Sequence, residues 1–440
     1  MPLIASISGI RGVFGDGLDP QVLVRYASAY GAWLRERKGG GAPTVVVGRD
    51  GRVTGEVCAR LVTATLQSTG CDVIDAGLAT TPTAEMGVLK EGADGGVILS
   101  ASHNPAEWNA LKLLNERGEF LSPSDAEAVI ASEKTSDVGA QTVGYEELGT
   151  YRTADYLPYH IEQILALPFI DPETIRARDF RVVVDGINSV GGFALPALLK
   201  RLGVNRIFLV NGDPTGHFAH EAEPLPENLT DTIALVADRE ADLGLVVDPD
   251  ADRLALIADG GVWFGEERTQ VVAADFLLRK RPGPFVTNLS SSRLIEDVAA
   301  RFDQPVYRSA VGEINVVEKM REVDAVLGGE GNGGVILPDL HYGRDALVGA
   351  AMVLQYLAER EIRLSDLAEE YPSYHIAKHK LPLAGVDAKA DALLNRMAER
   401  YAGEEVSTVD GVKIDLDEGW VHLRKSNTEP IVRVYTEAPT

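Results

Sequence analysis

Short apolar runs alternate with longer amphipathic stretches through most of the chain. The runs TVVVGRD (44–50), GGVILS (95–100), FRVVVDG (180–186), RIFLVNG (206–212), DLGLVVD (242–248), RLALIAD (253–259), GPFVTNLS (283–290) and DAVLGGE (324–330) predict strands. Many are continuously apolar rather than alternating, which suits strands buried on both faces. Helix-period patterns cover 20–37, 55–69, 192–202, 230–240, 265–280, 291–301, 344–361 and 386–402. The cycle of strand, glycine or aspartate turn and helix recurs in three successive stretches. It predicts an α/β protein of three related α/β domains with mainly parallel mixed sheets. The last stretch differs: VKIDLDEGWVHLRKSNTEPIVRVYTEA alternates as antiparallel strands do, so a smaller C-terminal α+β domain is expected. Breaks in the pattern set the expected domains at 1–150, 156–253, 254–364 and 375–440.

Composition narrows the function. With 440 residues the chain exceeds one ordinary core, in line with several domains. Its net charge is −24, from 66 acidic against 42 basic residues. No basic stretch could collect nucleic-acid phosphates, so that class of partner is excluded. An anionic substrate would require the few positive charges to be concentrated at one place. No apolar run approaches a membrane span and MPLIASISGI lacks a basic segment ahead of an apolar one, so a protein of the cytoplasm, away from membranes, is expected. Cys58 and Cys71 fit a reducing compartment and form no metal-ligand spacing.

Two segments carry candidate chemistry. LGLVVDPDADRLALI sets Asp248, Asp250 and Asp252 at the end of a buried strand, at i, i+2 and i+4. Carboxylates facing one point repel each other unless a cation joins them, and Mg²⁺ is the hard oxygen-seeking ion expected there. Arg253 follows and could reach a phosphate. An EF-hand loop fails, because its sixth position needs Gly and here holds Arg253. A phosphatase with Asp248 as nucleophile would use the same turn but leave no role for Ser102. That serine sits in ILSASHNPAEWNALK, where an apolar run breaks into polar residues. No Gly-x-Ser-x-Gly elbow surrounds it, and adjacent His103 would point away on an extended chain, so a hydrolase serine is disfavoured. A phosphorylated Ser102 would instead bring about −1.5 to −2 charges and an oxygen ligand to the ion.

SASHNP with WNALK, then DPDADR, GGEGNGG and RKSNTEP, occur in this order, and GIRG and VGRDGR precede them. Together they resemble the α-D-phosphohexomutase family over essentially the whole chain. The resemblance implies four domains around a central cleft. It also implies that Ser102 is the phosphoserine, with Asp248, Asp250, Asp252 and the Ser102 phosphate holding Mg²⁺. A hexose 1,6-bisphosphate would be intermediate and activator. Lys112 and Arg11 would be the cations near the reacting hydroxyl, and His103 would chiefly shape the serine loop. Glu330, with Asn332 and Arg253, would grip the sugar phosphate. Arg424, Ser426, Asn427, Thr428 and Arg433 would hold the phosphate that is not reacting. Two departures stand out. Asn332 and Gly334 occupy places where the commonest form has Ser and His, and Lys425 and Asn427 stand where Pro and Gly are usual.

SISGIRG, ASHNPAEWNALKLLNERGEF and GGEGNGG look most like a phosphoglucosamine mutase subgroup. The expected reaction is therefore interconversion of glucosamine 6-phosphate and glucosamine 1-phosphate, for UDP-N-acetylglucosamine synthesis. PTGHFAHEAEPLPENL resembles the phosphomannomutase/phosphoglucomutase pattern, which makes mannose or glucose phosphates the alternative.

Overall fold

The computed structural model describes all residues except 1–2, 8, 136–137, 383–386, 426–430 and 440. Three sheets repeat one plan. In the first, β1 (Thr44–Arg49), β2 (Asp72–Leu78), β3 (Gly95–Leu99) and β4 (Trp108–Leu114) lie in the order β4-β3-β1-β2. The second holds β5 (Arg181–Asp185), β6 (Arg206–Val210), β7 (Leu243–Val247) and β8 (Leu254–Ala258) in the order β8-β7-β5-β6. The third holds β9 (Phe285–Asn288), β10 (Val306–Ser309), β11 (Leu327–Glu330) and β12 (Gly334–Ile336) in the order β12-β11-β9-β10. In each, the first three strands are parallel and the fourth returns antiparallel beside the third. The turn between the third strand and its return carries, in succession, Ser102, the three aspartates, and the segment that follows Glu330. Each turn thus leaves the carboxyl end of a parallel strand, where open α/β sheets place their ligands.

Burial explains the pattern of the strands. Every residue of β3, β7, β8 and β11 is buried, as continuous apolar runs between helical layers require. The second and third domains share one apolar core, built around helices Glu267–Leu278 and Ala346–Arg360. The fourth domain is an antiparallel sheet of His375–Pro382, Ile431–Ala438, Gly419–Lys425, Val412–Leu416 and Glu405–Ser407, with helix Asp387–Arg400 against it.

Some expectations need correction. A boundary after residue 253 would cut the β7–β8 pair. The second sheet instead runs through Val262–Gly265, because β8 buries itself only as an inner strand. The first sheet likewise continues past residue 150 to Tyr151–Thr153, which pairs with β2. Helix Thr81–Glu91 escaped the periodicity analysis because Thr81 to Val88 are all buried, so its sequence shows no polar face. No helix among the described residues is long and apolar enough to cross a membrane.

Candidate active site

A cleft of about 1530 Å³ is lined by residues of all four domains. Arg11, His103, Arg253, Glu330, Asn332, Arg424 and Arg433 all line it. Ser102, Lys112 and the three aspartates lie beneath this lining, none more than 5% exposed.

Ser102 follows β3 in left-handed backbone, with φ of 48°. Such a conformation costs a non-glycine residue about 1–3 kcal/mol and persists only where its surroundings enforce it. Arg52 supplies that enforcement. Its buried guanidinium donates to the carbonyls of Ser102 (2.6 Å), Asn104 (2.7 Å), Pro105 (2.5 Å) and Trp108 (2.9 Å). Asp50 accepts from its Nε at 3.0 Å. Ser102 N donates to Ser100 Oγ at 2.9 Å, and Ser102 Oγ donates to Asp248 Oδ2 at 2.6 Å. His103 Nδ1 stands 3.5 Å from the same Oγ. Removal from water, with Arg253 and Arg11 nearby, holds the His103 imidazole well below its ordinary pKa, so it is neutral at pH 7.

The aspartate ligand atoms converge within 4.8 Å of one another. Asp248 Oδ1 accepts from the backbone N–H groups of Asp252 and Arg253, both at 3.2 Å. Asp250 Oδ2 accepts from Thr81 Oγ1 at 2.6 Å and from Lys112 Nζ at 2.5 Å. Asp252 Oδ2 accepts from Arg344 Nη2 at 2.7 Å. Among the described residues, Asp250 Oδ1 and Asp252 Oδ1 are buried acceptors with no hydrogen bond. Buried carboxylate oxygens are costly to leave unmet, so these two, with Asp248 Oδ2 beside Ser102, suit a hard divalent cation. Burial, then Asp252 and Asp250, raise the Asp248 pKa well above the carboxylate range. That repulsion is what a cation would relieve.

Lys112 lies on strand β4, opposite Ile98, and not on a solvated helix. Burial would lower its pKa, but Asp250 and Asp252 outweigh burial and raise it. Lys112 is therefore a fixed cation. Arg11, on Gly9–Phe14 opposite Ala110, is lowered to about 10, first by burial and then by Arg253, and is also charged at neutral pH.

Glu330 ends β11. Its Oε1 accepts from Asn288 Nδ2 at 2.8 Å and its Oε2 from Arg344 Nη1 at 2.8 Å. Asn332 Nδ2 lies 3.4 Å from Oε2. In the fourth domain, Arg424 pairs directly across from Arg433, and Arg433 across from Lys380. Like charges opposite one another destabilise a sheet. A row of three cations at the cleft wall is therefore suited to an anion. Ser426, Asn427 and Thr428 lie outside the described residues. Sequence reasoning missed Arg52, Arg344, Asn288, Thr81 and Lys380. Of these, Arg52 lay in the quoted motif VGRDGR and Asn288 in the strand run GPFVTNLS.

Comparison with known proteins agrees with this arrangement. Residues 4–138, 158–261 and 266–374 match the phosphoglucomutase/phosphomannomutase alpha/beta/alpha domains I, II and III, and residues 379–440 match its C-terminal domain. A phosphoglucomutase/phosphomannomutase of Thermococcus kodakarensis is 38% identical, over 98% of this chain and 93% of that protein. The chain belongs to the α-D-phosphohexomutase family. A probable phosphoglucosamine mutase of Methanopyrus kandleri is 37% identical over 98% of this chain and 93% of its own. A solved phosphoglucomutase/phosphomannomutase family protein of Burkholderia thailandensis superposes with a TM-score of 0.86 at 28% identity, covering 99% of this chain and 93% of the other. As a phosphohexomutase, the protein is an isomerase that moves a phosphoryl group within a phosphorylated sugar. The family uses a metal ion, and the aspartate turn offers a fitting set of ligands.

Proposed function

We propose that the protein interconverts glucosamine 6-phosphate and glucosamine 1-phosphate through a phosphorylated Ser102 and a bisphosphorylated sugar, for UDP-N-acetylglucosamine synthesis. The observation that carries the mechanism is the 2.6 Å hydrogen bond from Ser102 Oγ to Asp248, beside two unmet aspartate oxygens. Asp248, Asp250 and Asp252 would hold Mg²⁺, which when bound offsets the charge on the phosphoryl group. Transfer breaks the bond from phosphorus to Ser102 Oγ and forms one from phosphorus to a sugar hydroxyl. The hydroxyl proton passes to a base and a proton returns to Ser102 Oγ, and neutral His103, whose Nδ1 lies 3.5 Å from Oγ, joins Asp248 at 2.6 Å as the acceptors beside it. Lys112, Arg11 and Arg253 stabilise charge in the loose transition state. Glu330 accepts from vicinal sugar hydroxyls, while Arg424, Arg433 and the RKSNTEP segment hold the second phosphate. After the bisphosphate turns over in the cleft, its other phosphate returns to Ser102. A hexose 1,6-bisphosphate would prime enzyme that has lost its phosphoserine.

A second reading, phosphomannomutase/phosphoglucomutase activity, draws support from the 38% identity to the Thermococcus protein of that name. Turnover with Mg²⁺ and a trace of hexose 1,6-bisphosphate separates the two. The proposal expects kcat/KM to be highest for glucosamine 6-phosphate among the glucosamine, mannose and glucose 6-phosphates. A preference for mannose or glucose would overturn the sugar and keep the mechanism. Free phosphate from all three, with no 1-phosphate formed, would overturn the mechanism.

A further inference from the structure

The metal turn and the sugar loop belong to different domains, yet one side chain holds both. Arg344 donates from Nη2 to Asp252 Oδ2 at 2.7 Å and from Nη1 to Glu330 Oε2 at 2.8 Å. Its Nε lies 3.0 Å from Glu313 Oε2. The residue is 8% exposed, so none of these contacts is a solvent-screened surface pair. Its stem runs over the glycine loop. A Cβ at Gly334 would lie 2.4 Å from Arg344 Cδ, so only glycine there leaves room. The absent side chain at 334 and the guanidinium over it are therefore one feature.

We propose that Arg344 is a positioning residue that couples the two loops, fixing Glu330 for the sugar while drawing charge from the metal turn through Asp252. Asp252 has one oxygen on Arg344 and the other, 3.8 Å from Arg253 Nε, without a hydrogen bond among the described residues. Glu330 is pinned by Arg344 on one oxygen and by Asn288 on the other. Removing the guanidinium has opposite consequences at the two ends. The aspartates lose a competing cation and bind Mg²⁺ more tightly. Glu330 loses the bond that aims it and binds sugar more weakly. A residue that only supported the fold would weaken both.

The proposal rests on the reading of Glu330 as the sugar grip, and the test separates the two ideas. Mg²⁺ is titrated calorimetrically into dephosphorylated wild type, Arg344→Met, Arg344→Lys and Glu330→Gln. Glucosamine 6-phosphate is titrated into the same proteins in the presence of a chelator, and thermal unfolding confirms that each is folded. For Arg344→Met, the Mg²⁺ dissociation constant should fall about fivefold, as loss of a nearby like charge allows. The sugar-phosphate constant should rise about tenfold, the effect of losing a hydrogen bond to a charged group. Arg344→Lys, which lacks the planar fork, should keep Mg²⁺ affinity near wild type and still lose sugar affinity. Weakening of both ligands in Arg344→Met, or no change in either, overturns the proposal. Glu330→Gln losing sugar affinity while Arg344→Met keeps it refutes the coupling and leaves the grip. An unaffected Glu330→Gln refutes the grip itself, and with it the coupling. Should Arg344→Met not fold, Gly334→Ala displaces the same stem and must move the two constants in the same opposed directions.

Discussion

Ser102 is held in left-handed backbone with its hydroxyl on a carboxylate, and that carboxylate belongs to another domain. A serine placed for packing would need neither feature. Replacing it with alanine removes only a hydroxyl, so Ser102→Ala should unfold near the wild-type temperature while losing turnover by at least about 1000-fold, as loss of a covalent nucleophile does. An aspartate-nucleophile phosphatase would keep its activity in this variant, so steady-state rates with melting curves decide between the two chemistries. Lys112 gives a complementary test. Its Nζ lies 2.5 Å from Asp250 and 3.7 Å from Asp252, all fully buried or nearly so. Lys112→Met strands two buried carboxylates, and breaking such a pair costs about 3–5 kcal/mol. Denaturant unfolding with and without Mg²⁺ should show the loss in full without the ion and a part of it recovered with the ion. If Mg²⁺ recovered nothing, the aspartates would not be its site.

At the scale of elements, the serine loop is a turn fastened by one arginine. Arg52 reaches four carbonyls across residues 102–108 from a position two residues beyond Asp50. Arg52→Lys keeps the charge but cannot span four acceptors in one plane. It should lower kcat by about 100-fold, the scale of an ångström's misplacement at a reacting atom, while the KM for sugar phosphate changes little. A fall confined to KM would show that Arg52 serves binding and not the loop. This element also marks what the sequence discloses. The strands that end in functional turns were legible because burial on both faces makes them continuously apolar, and the turns because charge cannot follow such a run without a reason. The aspartates and the break at Ser102 were singled out in that way, whereas Glu330 was named through the family resemblance. Arg52, Arg344 and Asn288 were not, since the loop groups they hold are backbone carbonyls or carboxylates more than a dozen residues away, and a lone polar residue carries no period. The strand WNALKLL that carries Lys112 is buried at nearly every position and so does not alternate, which is why it is absent from the strands read from the sequence.

At the scale of the molecule, the first three domains meet in a buried polar knot behind the aspartate turn. His160, from helix Leu157–Leu165, and His341 both place Nε2 against Asp345 Oδ2, at 2.9 and 3.4 Å. His341 Nδ1 lies 3.2 Å from Glu85, on helix Thr81–Glu91 of the first domain. The first residue of that helix, Thr81, binds Asp250, so the knot helps to set where the aspartate turn stands. Burial would lower the His341 pKa, but Asp345 and Glu85 outweigh it and raise it to about 10. Burial raises Glu85 to about 8, with His341 opposing. Both groups bind protons more strongly in the folded protein than in the unfolded chain, whose values lie near 6.5 and 4.3. From about pH 6.5 upward the unfolded state has released protons that the folded state keeps, so stability falls as pH rises. The His341 contribution is whole below about pH 6.5 and is lost through about pH 10, whereas that of Glu85 is whole below about pH 4.3 and is lost through about pH 8. Glu267 and Glu313, raised by burial to about 8 and about 7, add to the same slope within that window, so removing His341 reduces the slope and does not abolish it. Wild-type protein should therefore melt at a lower temperature at pH 9 than at pH 6.5, and His341→Gln should reduce the slope while lowering stability at pH 6.5. The reverse slope in wild type, or an equal slope in the variant, would show that the knot holds no extra proton. Because the knot stands behind Asp250, Mg²⁺ affinity in His341→Gln should weaken as well. A variant with a reduced slope and wild-type Mg²⁺ affinity would separate the proton from the metal turn, leaving the knot as an interdomain fastening alone.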